Sequence, residues 1–198
     1  MRMAFTLRII TRLFVVLSLG LSCVYAARDL RELASTETGT YTVPTVPDVM
    51  KVPAGYKLHL KLFGEGHQYY RFNGSNWVQF SAYASLYDEE RKEIGHHYYL
   101  THPDALGGQP SWVTQPSKGV PYSIVTAKPL VKTTPDPRNI PWILLKTTKA
   151  QGDKDYFGDV AYVQRYNTSE GLAPPSASGA EVGRVRKTSY SASYAFYV

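Results

Sequence analysis

Residues 189–198 read Ser-Tyr-Ser-Ala-Ser-Tyr-Ala-Phe-Tyr-Val, and their alternation decides the fold class. Tyr190, Ala192, Tyr194 and Phe196 share one face while Ser191, Ser193 and Ala195 share the other, a period of two that belongs to an extended chain. The same period recurs at residues 56–62, where Leu58, Leu60 and Leu62 oppose Lys57, His59 and Lys61, and at residues 157–166 around Val160, Tyr162 and Gln164. Residues 140–145 (IPWILL) are apolar without interruption, with Pro141 near the start, as a strand covered on both faces would be.

Working outward, Gly64-Glu65-Gly66 is expected to turn the chain into a strand over residues 67–72. Asn73-Gly74 is a hairpin signal that pairs this strand with residues 75–81. Residues 82–87 can extend the sheet, and the charged residues 88–93 read as a turn or a single helical turn. Residues 96–100, 112–114 and 122–127 are further strand candidates, residues 102–110 (HPDALGGQP) are a loop by composition, and residues 128–139, with Pro129, Pro135 and Pro137, are expected as a surface connection. The 13 Pro and 15 Gly leave little room for long helices. The expectation is a single all-β domain, an antiparallel β-sandwich or β-barrel of about 8–10 strands.

The amino terminus reads differently. Arg2, Arg8 and Arg12 precede the short apolar run 13–21, and Val24-Tyr25-Ala26 suits a signal peptidase, so residues 1–26 are expected to be a signal peptide. A lipoprotein signal ending at Cys23 fits less well, because Gly20 stands where a large aliphatic residue belongs. The apolar run is about half of the roughly 20 residues that span a membrane, so no membrane insertion is expected. Residues 27–43, with their Ser/Thr/Gly-rich stretch, read as a flexible leader, and residues 44–198 as the all-β domain. Removing residues 1–26 lowers the formal charge from +6 to +3 and removes Cys23, the chain's one cysteine. The mature chain would then have no disulfide, Cys-based zinc site or thiol nucleophile.

Several chemistries fail at the level of residues. Gly64-Glu65-Gly66-His67-Gln68-Tyr69 lacks the third glycine and the following helix of a dinucleotide-binding fingerprint, so a nucleotide-dependent dehydrogenase is not expected. No phosphate-binding loop, zinc helix or nucleophile elbow is present, and no cofactor is expected. Nucleic acid is not an expected partner, because Arg184, Arg186 and Lys187 are the only dense basic group; an anionic wall polymer such as pectin suits that group better.

The polar cluster that could carry chemistry is Gly95-His96-His97 with His102 and Asp104 downstream. Alternation sends His96 and His97 to opposite faces, so at most one can join the others. His97, His102 and Asp104 are the candidate metal set, and His97 is the candidate catalytic base. Aromatic residues give a second lead: Tyr98, Tyr99 and Trp112 beside Asp104 could form a surface platform for a sugar ring. Trp142, within the apolar run, reads as core. Asn73-Gly74-Ser75 and Asn167-Thr168-Ser169 are glycosylation sequons, of which Asn167 is the better acceptor because a loop is expected after it.

The ordered motifs carry a resemblance. Pro53-x-Gly55, Gly66-x-Gln68-Tyr69, Trp77, Gly95-x-His97-Tyr98, residues 140–145, Val160-x-Tyr162-Val163-Gln164-Arg165, Ala173-Pro174 and Tyr190-x-Ala192-x-Tyr194-x-Phe196-Tyr197 resemble the secreted family labelled domain of unknown function 3455. The resemblance implies a small secreted all-β protein without an established activity; the malate dehydrogenase label attached to some members has no support in these residues. It departs from the family where Arg71 and the Ser176 region replace cysteines, so the disulfide implied for the family is missing. Tyr99-Leu100-Thr101-His102 also replaces the family's Gly-Pro-x-Trp continuation.

The leading functional expectation is a secreted binding module for a wall polysaccharide or another wall component. A hydrolase or lyase using His97 on an extracellular polymer, and a structural or stress-related protein without a small ligand, are the alternatives.

Overall fold

The computed structural model describes residues 41–100, 108–175 and 179–198. Within them, eight strands form one closed antiparallel barrel: β1 (Leu58–Phe72), β2 (Trp77–Tyr87), β3 (Glu93–Leu100), β4 (Ser111–Thr114), β5 (Ser123–Thr133), β6 (Trp142–Gly152), β7 (Tyr162–Glu170) and β8 (Val185–Tyr197). Each strand pairs with its neighbour in sequence, and β8 closes onto β1 with Leu62 opposite Tyr194 and Gly66 opposite Tyr190. Closure removes both sheet edges, and it selects the barrel over the sandwich. No helix among the described residues is long and apolar enough to cross a membrane.

The alternation read in β8 becomes the division between inside and outside. Tyr190, Ala192, Tyr194 and Phe196 point inward with Leu60, Leu62, Leu86, Trp112, Val125 and Val163, and together they form the main core. At one end Phe157, fully buried, packs its ring 4.9 Å from that of Phe196 and donates its N–H to Ser123 Oγ at 2.9 Å. Phe157 lies in the β6–β7 connection and β7 begins only at Tyr162, so the alternation expected from residue 157 starts five residues later.

Two expected connections are strand. Gly64-Glu65-Gly66 runs straight through β1, because the two glycines occupy inward positions where neighbouring atoms leave no room for a side chain. A Cβ on Gly64 would sit 2.7 Å from Tyr194 Cε2, and one on Gly66 would collide with the Tyr83 carbonyl oxygen. Glycine here answers to close approach of strands, not to turning. Likewise β5 continues to Thr133 instead of ending at Ala127, with Pro129 at a register shift against β6, a place where its missing N–H costs no regular ladder bond. The Asn73-Gly74 hairpin forms as read: Asn73 Oδ1 accepts the N–H groups of Ser75 and Asn76 at 3.0 and 2.8 Å, and Gly74 adopts φ 101°.

The apolar run at 140–145 is covered on both faces. Ile143 and Leu145 face the barrel interior, whereas Trp142 and Leu144 face outward beneath the segment carrying Val46, Met50 and Val52. Trp142 is half-buried there, so it packs as expected without being enclosed. A clasp holds that segment: Tyr197 Oη donates to Gln164 Oε1 at 2.7 Å, and Gln164 Nε2 donates to the Met50 carbonyl at 2.6 Å. Burial pushes the Tyr197 hydroxyl up to about 12. Gln164→Leu strands both the Tyr197 hydroxyl and the Met50 carbonyl, and is expected to cost about 1–3 kcal/mol. Urea unfolding of the two proteins checks this, and an unchanged midpoint would show that the clasp contributes nothing.

Candidate ligand pocket

The barrel is packed solid at the Phe157 end and hollow toward the other. A cavity of about 550 Å³ opens near the end of β1 and the starts of β4 and β6, a size within the range of small-molecule sites. Its wall includes Gln68 and Tyr70 from β1, His97 and Tyr99 from β3, Trp112 from β4, and Arg165 from β7. Ile140, Ile143, Leu145 and Leu172 give it apolar patches, and Lys128 and Lys132 stand exposed at its margin.

Strand pairing explains why these side chains meet. β3 and β4 set His97 opposite Trp112, so both enter the barrel together, and their rings stack 4.7 Å apart at 22°. Tyr194, opposite Arg165 across the β7–β8 ladder, lies 5.4 Å from the His97 ring and 5.6 Å from that of Trp112. Arg165 donates through Nε and Nη2 to the Pro141 carbonyl at 3.2 and 2.8 Å.

Gln68 and Trp112 are each 1% exposed, and Gln68 Nε2 and Trp112 Nε1 find no hydrogen-bond partner among the described residues, as is also true of Thr147 Oγ1 away from the cavity. Both nitrogens are enclosed by neighbouring atoms and present no surface to the cavity, so the feature that marks the cavity is Arg165, a guanidinium with no Asp or Glu among the described lining residues. Gln68 Oε1, by contrast, is occupied by the amide of Gln79.

His97 is 3% exposed and its Nδ1 lies 2.9 Å from the Ser111 carbonyl oxygen, which can only accept, so Nδ1 carries the proton. Burial drives its pKa down to about 3, against the partial opposition of that hydrogen bond. The ring is therefore neutral at physiological pH, with Nε2 as an acceptor. A group that holds a proton only below about pH 3 is a poor general base at neutral pH, and no Asp or Glu is among the described residues lining the cavity. Both facts weigh against hydrolase or lyase chemistry at His97.

The expected aromatic surface is corrected here. Trp112 is enclosed in the barrel, not displayed on its exterior, and alternation along β3 separates Tyr98 from His97 and Tyr99. Tyr98 instead faces outward beside His96, their rings 6.0 Å apart, and His96 stacks on Tyr83 at 5.4 Å. The opposite placement of His96 and His97 follows the alternation read in the sequence. His102 and Asp104 lie outside the described residues; among those described, no cluster of three or more His, Cys, Asp or Glu could hold a metal ion. Asn73 and Asn167 are both exposed. Asn167 lies within β7, at a register shift with φ 47°, where a following loop was expected, and Thr168 Oγ1 donates to the Ile140 carbonyl at 2.6 Å.

Gln68 and Arg165 escape a reading of motifs. Their signal is polar character in the inward phase of a strand: Gln68 follows Leu60 and Leu62 in register, and Arg165 follows Val163. A polar side chain in the apolar phase of alternation marks either a buried network or a site.

These features define a closed eight-stranded antiparallel barrel with an internal pocket of mixed polar and apolar lining. The chain belongs to the family described as protein of unknown function (DUF3455), whose profile matches residues 53–198. No curated protein and no solved structure matches it. Residues from the separate motifs that carry the resemblance, among them Gln68, His97, Pro141, Arg165 and Tyr194, line the same cavity.

Proposed function

We propose that the protein is an extracellular binding module that takes a small organic molecule into the open end of its barrel. The observation that carries this reading is a cavity of about 550 Å³ lined by Arg165, whose hydrogen bonds go to the neutral Pro141 carbonyl. Eight-stranded barrels have an interior of the size that holds one small ligand. A wall component would enter as a small compound or a chain end, because Trp112, the central ring expected to meet a polysaccharide chain, is inside. The secretory signal at residues 1–26 supports an extracellular setting, and Asn167 is the favoured glycan acceptor if the chain passes through a glycosylating compartment.

The test is a panel of wall-derived sugars and small aromatic compounds, titrated against the full chain by calorimetry and intrinsic fluorescence. Binding of a small compound with a fluorescence change, removed in Trp112→Phe, is the expected result. Retention on an insoluble wall polymer, with no small compound altering the fluorescence, would overturn the internal site.

A further inference from the structure

We propose that the ligand is a small hydroxylated aromatic carboxylate, with its carboxylate against Arg165 and its ring against Tyr99, Ile143 and Leu172. This rests on the pocket being a binding site at all, and deepens that reading from a cavity to a chemical class.

Three features of the lining lead there. The first is the balance of charged groups: Arg165, Lys128 and Lys132 line the cavity, and no Asp or Glu is among the described lining residues. A ligand group that accepts without donating completes such a wall.

The second is the pairing of Arg165. Arg165 is half-buried and its contacts are to one neutral carbonyl, that of Pro141; the ion pairs among the described residues all lie elsewhere, at the surface. A half-buried cation without a counter-charge is open to an anion, and a carboxylate supplies the planar, bidentate partner that guanidinium favours. Lys128 and Lys132 at the margin add attraction for an anion on its way in.

The third is shape and polarity. The half-buried Tyr99 ring, with Ile143 and Leu172, offers flat and apolar surface, which suits an aromatic body and not a polyhydroxylated sugar acid. His97 Nε2 is an acceptor on a lining residue, and it fits a hydroxyl that donates from the ligand.

The probes are 4-hydroxycinnamate, its uncharged amide 4-hydroxycinnamamide, and galacturonate, each titrated into the full chain by calorimetry with fluorescence as a second readout. The carboxylate is expected to bind roughly tenfold or more tightly than the amide, a difference of about 1.4 kcal/mol, and galacturonate more weakly than either aromatic probe. Arg165→Met should erase the preference for the carboxylate while leaving amide binding in place, which also shows that the variant is folded; Arg165→Lys should keep part of the preference. Equal binding of amide and carboxylate overturns the anionic class while leaving the internal binding site intact. Tightest binding by galacturonate overturns the aromatic body. Failure of all three probes overturns this assignment, and failure of the whole compound panel as well overturns the binding site itself.

Discussion

Lowering the pH from 7.5 to 4.5 is expected to destabilise the protein by about 2–3 kcal/mol through His97 alone. In the native barrel His97 is held to a pKa of about 3, chiefly because burial beside Trp112 and Tyr194 disfavours the imidazolium. In the unfolded chain the ring recovers the ordinary value near 6.5. Between those values the unfolded state binds a proton that the native state refuses. Stability from this residue is therefore complete above about pH 6.5 and is lost as the pH falls toward 3, at about 1.4 kcal/mol per pH unit. The carboxylates of Asp48, Glu93 and Asp136, held low by hydrogen bonds from Lys51, Lys118 and Arg138, also lose their advantage in acid. They do so equally in a His97→Asn variant, so the difference between the two urea midpoint-against-pH curves isolates His97. Parallel curves would show that His97 titrates normally and is not enclosed.

Phe157→Ala is expected to cost about 3–5 kcal/mol, the range for removing an enclosed phenylalanine ring. The ring closes the packed end of the barrel against Phe196, has no exposed surface, and is held in place by the N–H bond to Ser123 Oγ. Truncation leaves a void that β6, β7 and β8 cannot collapse into without breaking ladder bonds. Because Phe157 does not line the ligand cavity, whatever affinity the pocket has should survive in the folded fraction. Denaturant unfolding gives the first quantity and calorimetry the second. A loss below about 1 kcal/mol would mean that this end is loosely packed; Phe157→Leu, which keeps most of the volume, should cost less than half as much.

How much of this was legible from the chain differs between fold and pocket. The alternation in residues 189–198 and at Leu60 and Leu62 maps onto inward and outward faces of β8 and β1, because side-chain period depends only on extended backbone, whereas Leu58, before a register shift, packs with the outward cluster around Met50. The turn at Asn73-Gly74 is equally local. Gly64, Gly66 and Pro129 misled for the opposite reason: their roles depend on Tyr194, Tyr83 and β6, residues distant in sequence that approach only once strands pair. The pocket shows the same split. His97 and Trp112 stand out by type, but their stacking comes from the β3–β4 register, and the inclusion of Gln68 and Arg165 from barrel closure.

The sequence by itself determined an all-β chain, its turn at residues 73–76, the opposite faces of His96 and His97, and its family, since each is written in short-range periodicity or ordered motifs. Only the tertiary structure decided that the sheet closes, that Trp112 is inside, and that Gln68, His97 and Arg165 share one cavity. Those outcomes depend on β8 pairing with β1 across the length of the domain, and it is that long-range pairing that turns one face of each strand into an interior.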